Sequence, residues 1–103
     1  MDAKLKAKWV KALRSGKFEK TTSQLKDGDA YCCLGVLCVV GGLPIDPSRQ
    51  NSIKGRSDEG YNPLKTFGLT ETAIEELYSR NDGIGFAKPH SFRQVADYIE
   101  KNL

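Results

Sequence analysis

Between Asp29 and Gly42 the chain runs AYCCLGVLCVVG, and its residues Ala30 to Val40 carry no charge and are interrupted only by Gly35. No other apolar segment in these 103 residues is as long, so the core has to be built around this one. Its valine content suits a buried strand, and its length equally fits a buried helix of three turns. Asp29 as N-cap and Gly41–Gly42 as a stop favour the helix. Such a helix is apolar on all sides and belongs at the centre of the fold. It is too short to cross a bilayer.

The same run holds all three cysteines, Cys32, Cys33 and Cys38. An odd number with two adjacent members is a poor disulfide framework. A Cys₃His metal set with His90, the single histidine, fails on spacing, because zinc knuckles separate paired cysteines by two to four residues. No metal is expected. Nucleophilic catalysis is a second reading. Near the start of a helix, Cys32 would feel unpaired N–H groups and the macrodipole, which favour a thiolate. His90 would be its base and Asp82 or Asn81 the orienting group. Asp27 and Asp29 nearby oppose that charge. Packing is the favoured reading, since free cysteine behaves as a small hydrophobe and Leu34, Val36 and Leu37 surround these thiols. Cys32 is the one thiol expected near a surface.

The remaining elements follow from caps and periodicity. Asp2 caps a first helix in which Leu5, Trp9, Ala12 and Leu13 form one stripe, widened by Val10. Arg14 suits its last turn and Gly16 its C′ position. Thr21, Thr22 and Ser23 begin an extended piece, and KDGD (Lys26 to Asp29) is a turn. Residues 43–68 read as a long irregular region with room for a small hairpin. Thr70 caps a helix over 70–80 with Ala73, Ile74, Leu77 and Tyr78 on its apolar face, ended by Asn81-Asp82-Gly83. Gly83 to His90 is a loop. Ser91 and Gln94 form a capping box for a last helix over 91–102, whose buried stripe is Phe92, Val95, Ala96 and Ile99. The expected fold is a single compact domain, α+β or mostly α, with about four helices and short extended segments or a small hairpin.

Charge is uneven along the chain. Lys4, Lys6, Lys8, Lys11, Arg14, Lys17 and Lys20 face only Asp2 and Glu19 within the first twenty residues, on a net charge of +3. The bland reading is a solvated helix face; the functional one is a positive surface for anionic partners. The basic N-terminus has no apolar h-region, so neither a signal peptide nor a membrane segment is expected, and the cytosol follows as the compartment.

The stretches WVKALRSGKF (Trp9 to Phe18), LKDGDAYCCLGVLC (Leu25 to Cys38), NDG (Asn81 to Gly83) and SFRQVADYIE (Ser91 to Glu100) resemble a group of small proteins encoded by bacteriophages and prophages. The likeness covers roughly half of the chain, at its two ends. It implies viral origin and action in the cytosol of the bacterial host. It brings no catalytic residues that carry over. Val39 stands where the group is expected to have an acidic residue, so the likeness assigns that position no role.

A small phage accessory protein of this kind is expected to bind and sequester a nucleotide-like signal of host defence. That needs cationic and amide donors for phosphate and an aromatic surface for a base, with no cofactor. The candidate ligand-binding residues are Arg14, Lys17, Arg49, Lys54, Arg56 and Arg80, with Tyr31, Tyr61 and Trp9, and Asn81 and Asp82 in the loop that runs to Gly85. The Gly-Ile-Gly of that loop alone is a weak phosphate signal. Alternatives are an inhibitor of a host protein and a cysteine-dependent hydrolase using Cys32, His90 and Asp82. A homo-oligomer is compatible with each. Nucleic acid is disfavoured as a partner: no reader motif is present, and the pI near 8.8 is modest.

Overall fold

Each helix begins where a side chain can take up its first free N–H groups. The computed structural model describes residues 1–46 and 62–103. In it α1 spans Ala3–Arg14, and the Asp2 carboxylate accepts from the Leu5 N–H at 2.8 Å. Trp9, Val10 and Leu13 are buried, with Leu5 and Ala12 packed beside them.

Three short strands follow: β1 (Glu19–Lys20), β2 (Lys26–Asp27) and β3 (Ala30–Tyr31). Their order is β1-β3-β2, with β3 parallel to β1 and antiparallel to β2. Of the turn expected over Lys26 to Asp29, Lys26 and Asp27 are instead β2, and Gly28 and Asp29 make the turn into β3. The extended piece lies earlier than expected, at Glu19–Lys20 rather than Thr21–Ser23. The Thr21 N–H still bonds the Tyr31 carbonyl at 2.9 Å, but Ser23 takes a positive φ of 70° and leaves the strand.

The start of the apolar helix also differs. Helix α2 is Cys33–Gly41, and its N-cap is Cys32, not Asp29. Ala30 and Tyr31 form the middle strand, which pairs on both edges, so the chain turns helical only after it leaves the sheet. The residues Cys33 to Cys38 are all buried, whereas Val39 is 45% exposed, so the helix is central over its first two turns only. Gly35 is required by close approach: a Cβ there would lie 1.9 Å from the Leu25 carbonyl oxygen.

A 3₁₀ turn at Asn62–Phe67, which has no clear sequence signal, leads into α3 (Glu71–Asp82). The Thr70 hydroxyl caps α3 by accepting from the Ala73 N–H at 3.1 Å. Helix α3 runs through Asn81 and Asp82 and stops at Gly83, whose φ of 82° is the left-handed conformation that glycine tolerates. Helix α4 (Phe92–Asn102) begins with the expected capping box: Ser91 N–H to Gln94 Oε1 at 2.8 Å and Gln94 N–H to Ser91 Oγ at 3.1 Å.

The four helices and small mixed sheet make an α+β fold. Helix α1 packs on α4 and α2, and α3 packs on α2 and α4. One cluster containing Trp9, Leu34, Leu37, Leu77, Val95 and Ile99 forms the core. The Trp9 indole N–H donates to the Cys33 carbonyl at 2.9 Å and fixes α1 against the start of α2.

Candidate ligand-binding site

The thiols are placed for packing and capping. All three are free and buried. The Cys32 sulfur accepts from the Gly35 N–H at 3.4 Å, and the Cys33 thiol donates to the Leu77 carbonyl at 3.6 Å. Burial pushes the Cys32 thiol up to about 11 and Cys38 up to about 12, and raises Cys33 well above its ordinary value. Cys32 is 2% exposed, which corrects the expectation of a thiol near the surface. At neutral pH it is a protonated thiol. The carboxylate that adds to this effect is Asp82, not Asp27 or Asp29. The His90 ring packs on the Phe86 ring at 4.6 Å between centroids, and the His90 backbone N–H donates to the Arg80 carbonyl at 2.9 Å. Among the described residues no group of three or more His, Cys, Asp or Glu is placed to hold a metal ion.

Asn81 is a fully buried junction. Its Oδ1 accepts from the Cys33 N–H at 3.0 Å, completing the cap of α2. Its Nδ2 donates to the Thr21 carbonyl at 3.0 Å and to Asp82 Oδ1 at 2.8 Å. The Lys20 ammonium donates to the Asn81 carbonyl, and partial burial lowers its pKa. The Asn81 side chain thus joins α3 to the start of α2 and to Thr21, just past β1. Asn81, expected as a ligand-binding residue, is fully buried, and its side chain is engaged by internal partners.

The other candidates are dispersed. Arg14 is engaged by Asp97 at 2.6 Å and Glu100 at 3.0 Å, which tie α1 to α4. The Arg80 guanidinium lies 4.0 Å from the Tyr98 ring centroid and 5.2 Å from that of Phe86. Its Nε lies 3.4 Å from Glu76 Oε2 as an ion pair and makes no hydrogen bond. Trp9 is in the core. Tyr31 meets Phe18 edge-on at 5.5 Å and carries the Lys26 ammonium over its ring at 5.5 Å. Arg49, Lys54, Arg56 and Tyr61 lie outside the described residues, as does most of the irregular region over 43–68.

Lys17 alone of those candidates lines a small basic cleft. At the end of α1 the chain turns through Gly16, with φ of 75°, and brings Lys17 and Phe18 back beside the last two helical turns. The result is a cleft of about 240 Å³ lined by Lys8, Lys11, Ala12, Ser15, Lys17 and Phe18. Lys8, Lys11 and Lys17 have no ion-pair partner among the described residues. The Ser15 hydroxyl donates to the Ala12 carbonyl at 2.7 Å and accepts from the Lys17 N–H at 3.1 Å, which fixes the turn. The C-terminal end of a helix offers carbonyls rather than amide donors, so any anion here is held by ammonium charge. In the sequence Lys8 and Lys11 belong to the positive surface expected for anionic partners but not to the ligand-binding candidates, and Ser15 and Phe18 belong to neither. The available signal was the Lys8–Lys11 spacing of three residues followed by Ser-Gly-Lys-Phe, a turn that folds a cation and a ring back onto that face.

No helix among the described residues is long and apolar enough to cross a membrane. No curated protein and no solved structure matches the chain. A family model described as a domain of unknown function, DUF8296, matches residues 1–42, the segment that holds α1, the three strands, α2 and the whole cleft.

Proposed function

We propose that the protein is a small accessory protein of bacteriophage type that binds and sequesters an anionic, nucleotide-like ligand in the host cytosol. The observation that carries this reading is the cleft at the end of α1, where three lysines without ion-pair partners among the described residues flank an aromatic ring. Phosphate would sit among the ammonium groups of Lys8, Lys11 and Lys17, with Phe18 as an apolar surface for a ring. The cleft is smaller than ligand pockets that enclose their occupant, so part of the ligand stays in solvent and charge supplies most of the affinity. Sequestration fits better than turnover, because the Cys32 thiol is buried and protonated. Calorimetric titration with inorganic pyrophosphate and with nucleoside mono- and diphosphates tests this. Binding that weakens with salt, and ligand recovered unchanged after heat denaturation, is the expected result. Altered ligand would point to an enzyme.

Inhibition of a host protein is the second reading. It is favoured by Ile84 and Phe86, which are exposed on a loop whose backbone is tied down by bonds from Ile84 N–H to Ser79 and Phe86 N–H to Gly83. Retention of one defined host protein by the wild type and its loss in an Ile84→Ser/Phe86→Ser variant would favour this reading.

A further inference from the structure

We infer that a second pocket, between the C-terminal end of α2 and the strands β2 and β3, binds a small carboxylate with an apolar body. Its volume is about 330 Å³, within the range of small-molecule sites. Val39 and the segment after α2, Leu43 to Ile45, give it apolar walls. Tyr31 of β3 and Lys26 of β2 line it from the sheet. Val39 is 45% exposed although it follows the buried stretch Cys33 to Cys38, so this apolar wall is open to solvent. The pocket shares no lining residue with the lysine cleft.

The polar groups at the pocket set the chemistry of its occupant. No carboxylate lines it, and the Lys26 ammonium has no ion-pair partner among the described residues. That ammonium lies 5.5 Å from the Tyr31 ring centroid, a contact that holds its position and leaves its charge uncompensated. The last carbonyls of α2 are already used: Cys38 accepts from the Gly42 and Leu43 N–H groups, and Val39 from Gly42. A ligand that donates hydrogen bonds or carries positive charge therefore meets a cation and no free acceptor at the helix end. A carboxylate is matched by Lys26. The macrodipole of α2 disfavours an anion at its C-terminal end, so the carboxylate lies on the sheet side and the apolar body rests against Val39, Leu43 and Ile45.

Octanoate and octylamine, which share one chain and differ in charge, test the assignment in two-dimensional amide NMR spectra of the full chain. Octanoate is expected to shift the amides of Lys26, Val39, Leu43 and Ile45. It is expected to bind about 5-fold or more tightly than octylamine, with the gap narrowing at high salt. Lys26→Gln removes the charge and keeps most of the stem, and is expected to weaken octanoate by about 5-fold. Val39→Glu puts a like charge on the exposed wall and is expected to act in the same direction. The ligand-free spectra of both variants report that the fold is kept. Lys8→Ala/Lys17→Ala is expected to leave octanoate binding unchanged, which separates this pocket from the lysine cleft. No shift with octanoate, shifts centred away from the pocket, equal binding of octylamine, or unchanged affinity in Lys26→Gln would overturn the inference.

Discussion

Among the described residues, Asn81 is the polar side chain that is buried in the core. It is fully buried and joins the Cys33 N–H, the Thr21 carbonyl and Asp82. Asn81→Ala would leave the Cys33 amide without its cap, at an expected cost of about 2–4 kcal/mol in urea denaturation. Substitution of an exposed residue such as Lys88 is expected to move stability by less than about 0.5 kcal/mol in the same assay. The thiols make a second prediction. Their folded pKa values are raised above the ordinary 9.0, so the native state holds protons that the unfolded chain releases. Stability from this source is complete below pH 9 and falls as pH climbs towards about 11 and 12. Lys20, whose pKa is lowered, acts in the opposite sense, but it is one group against three. A pH series of thermal melts checks the net fall. Little of this was legible in the sequence. Asn81-Asp82-Gly83 reads as a helix end and a ligand loop, and only the tertiary contact to α2 shows that Asn81 is an internal cap.

At the scale of elements, the helices with their own caps were the readable ones. Asp2, Thr70 and the Ser91–Gln94 box each satisfy N–H groups within three residues, so the signal is local. Ser91→Ala is expected to cost about 1 kcal/mol and to lower the melting temperature accordingly. Helix α2 was misplaced at its start because its beginning is set from outside. The sheet takes Ala30 and Tyr31, Cys32 replaces Asp29 as cap, and Asn81 arrives from far along the chain. Gly35 shows the same dependence. It looks like an interruption in an apolar run, yet it lets α2 pass against the Leu25 carbonyl. Gly35→Ala is expected to destabilise by about 1–3 kcal/mol or more, since a backbone oxygen has to move. Equilibrium unfolding that left Gly35→Ala as stable as wild type would show that the two elements are not in close contact.

The whole molecule separates a core made by the central helix from a basic surface made by α1. The core alone explains the cysteines and the buried tryptophan. Of the lysines in the first twenty residues, Lys8, Lys11 and Lys17 line the cleft at the end of α1, and Lys6 and Lys11 line the α1 face beside Glu100. The lysine count was visible in the sequence, but the cleft was not, because it depends on the turn at Gly16 that returns Lys17 and Phe18 to the helix. The proposed ligand site is tested most directly by titrating pyrophosphate and a nucleoside diphosphate into the wild type and a Lys8→Ala/Lys17→Ala variant by calorimetry. Loss of two ammonium contacts is expected to weaken binding by about 10-fold or more at low salt, with the fold intact. A variant that binds as tightly as the wild type, or a wild type that binds neither anion, would contradict the assignment of the cleft.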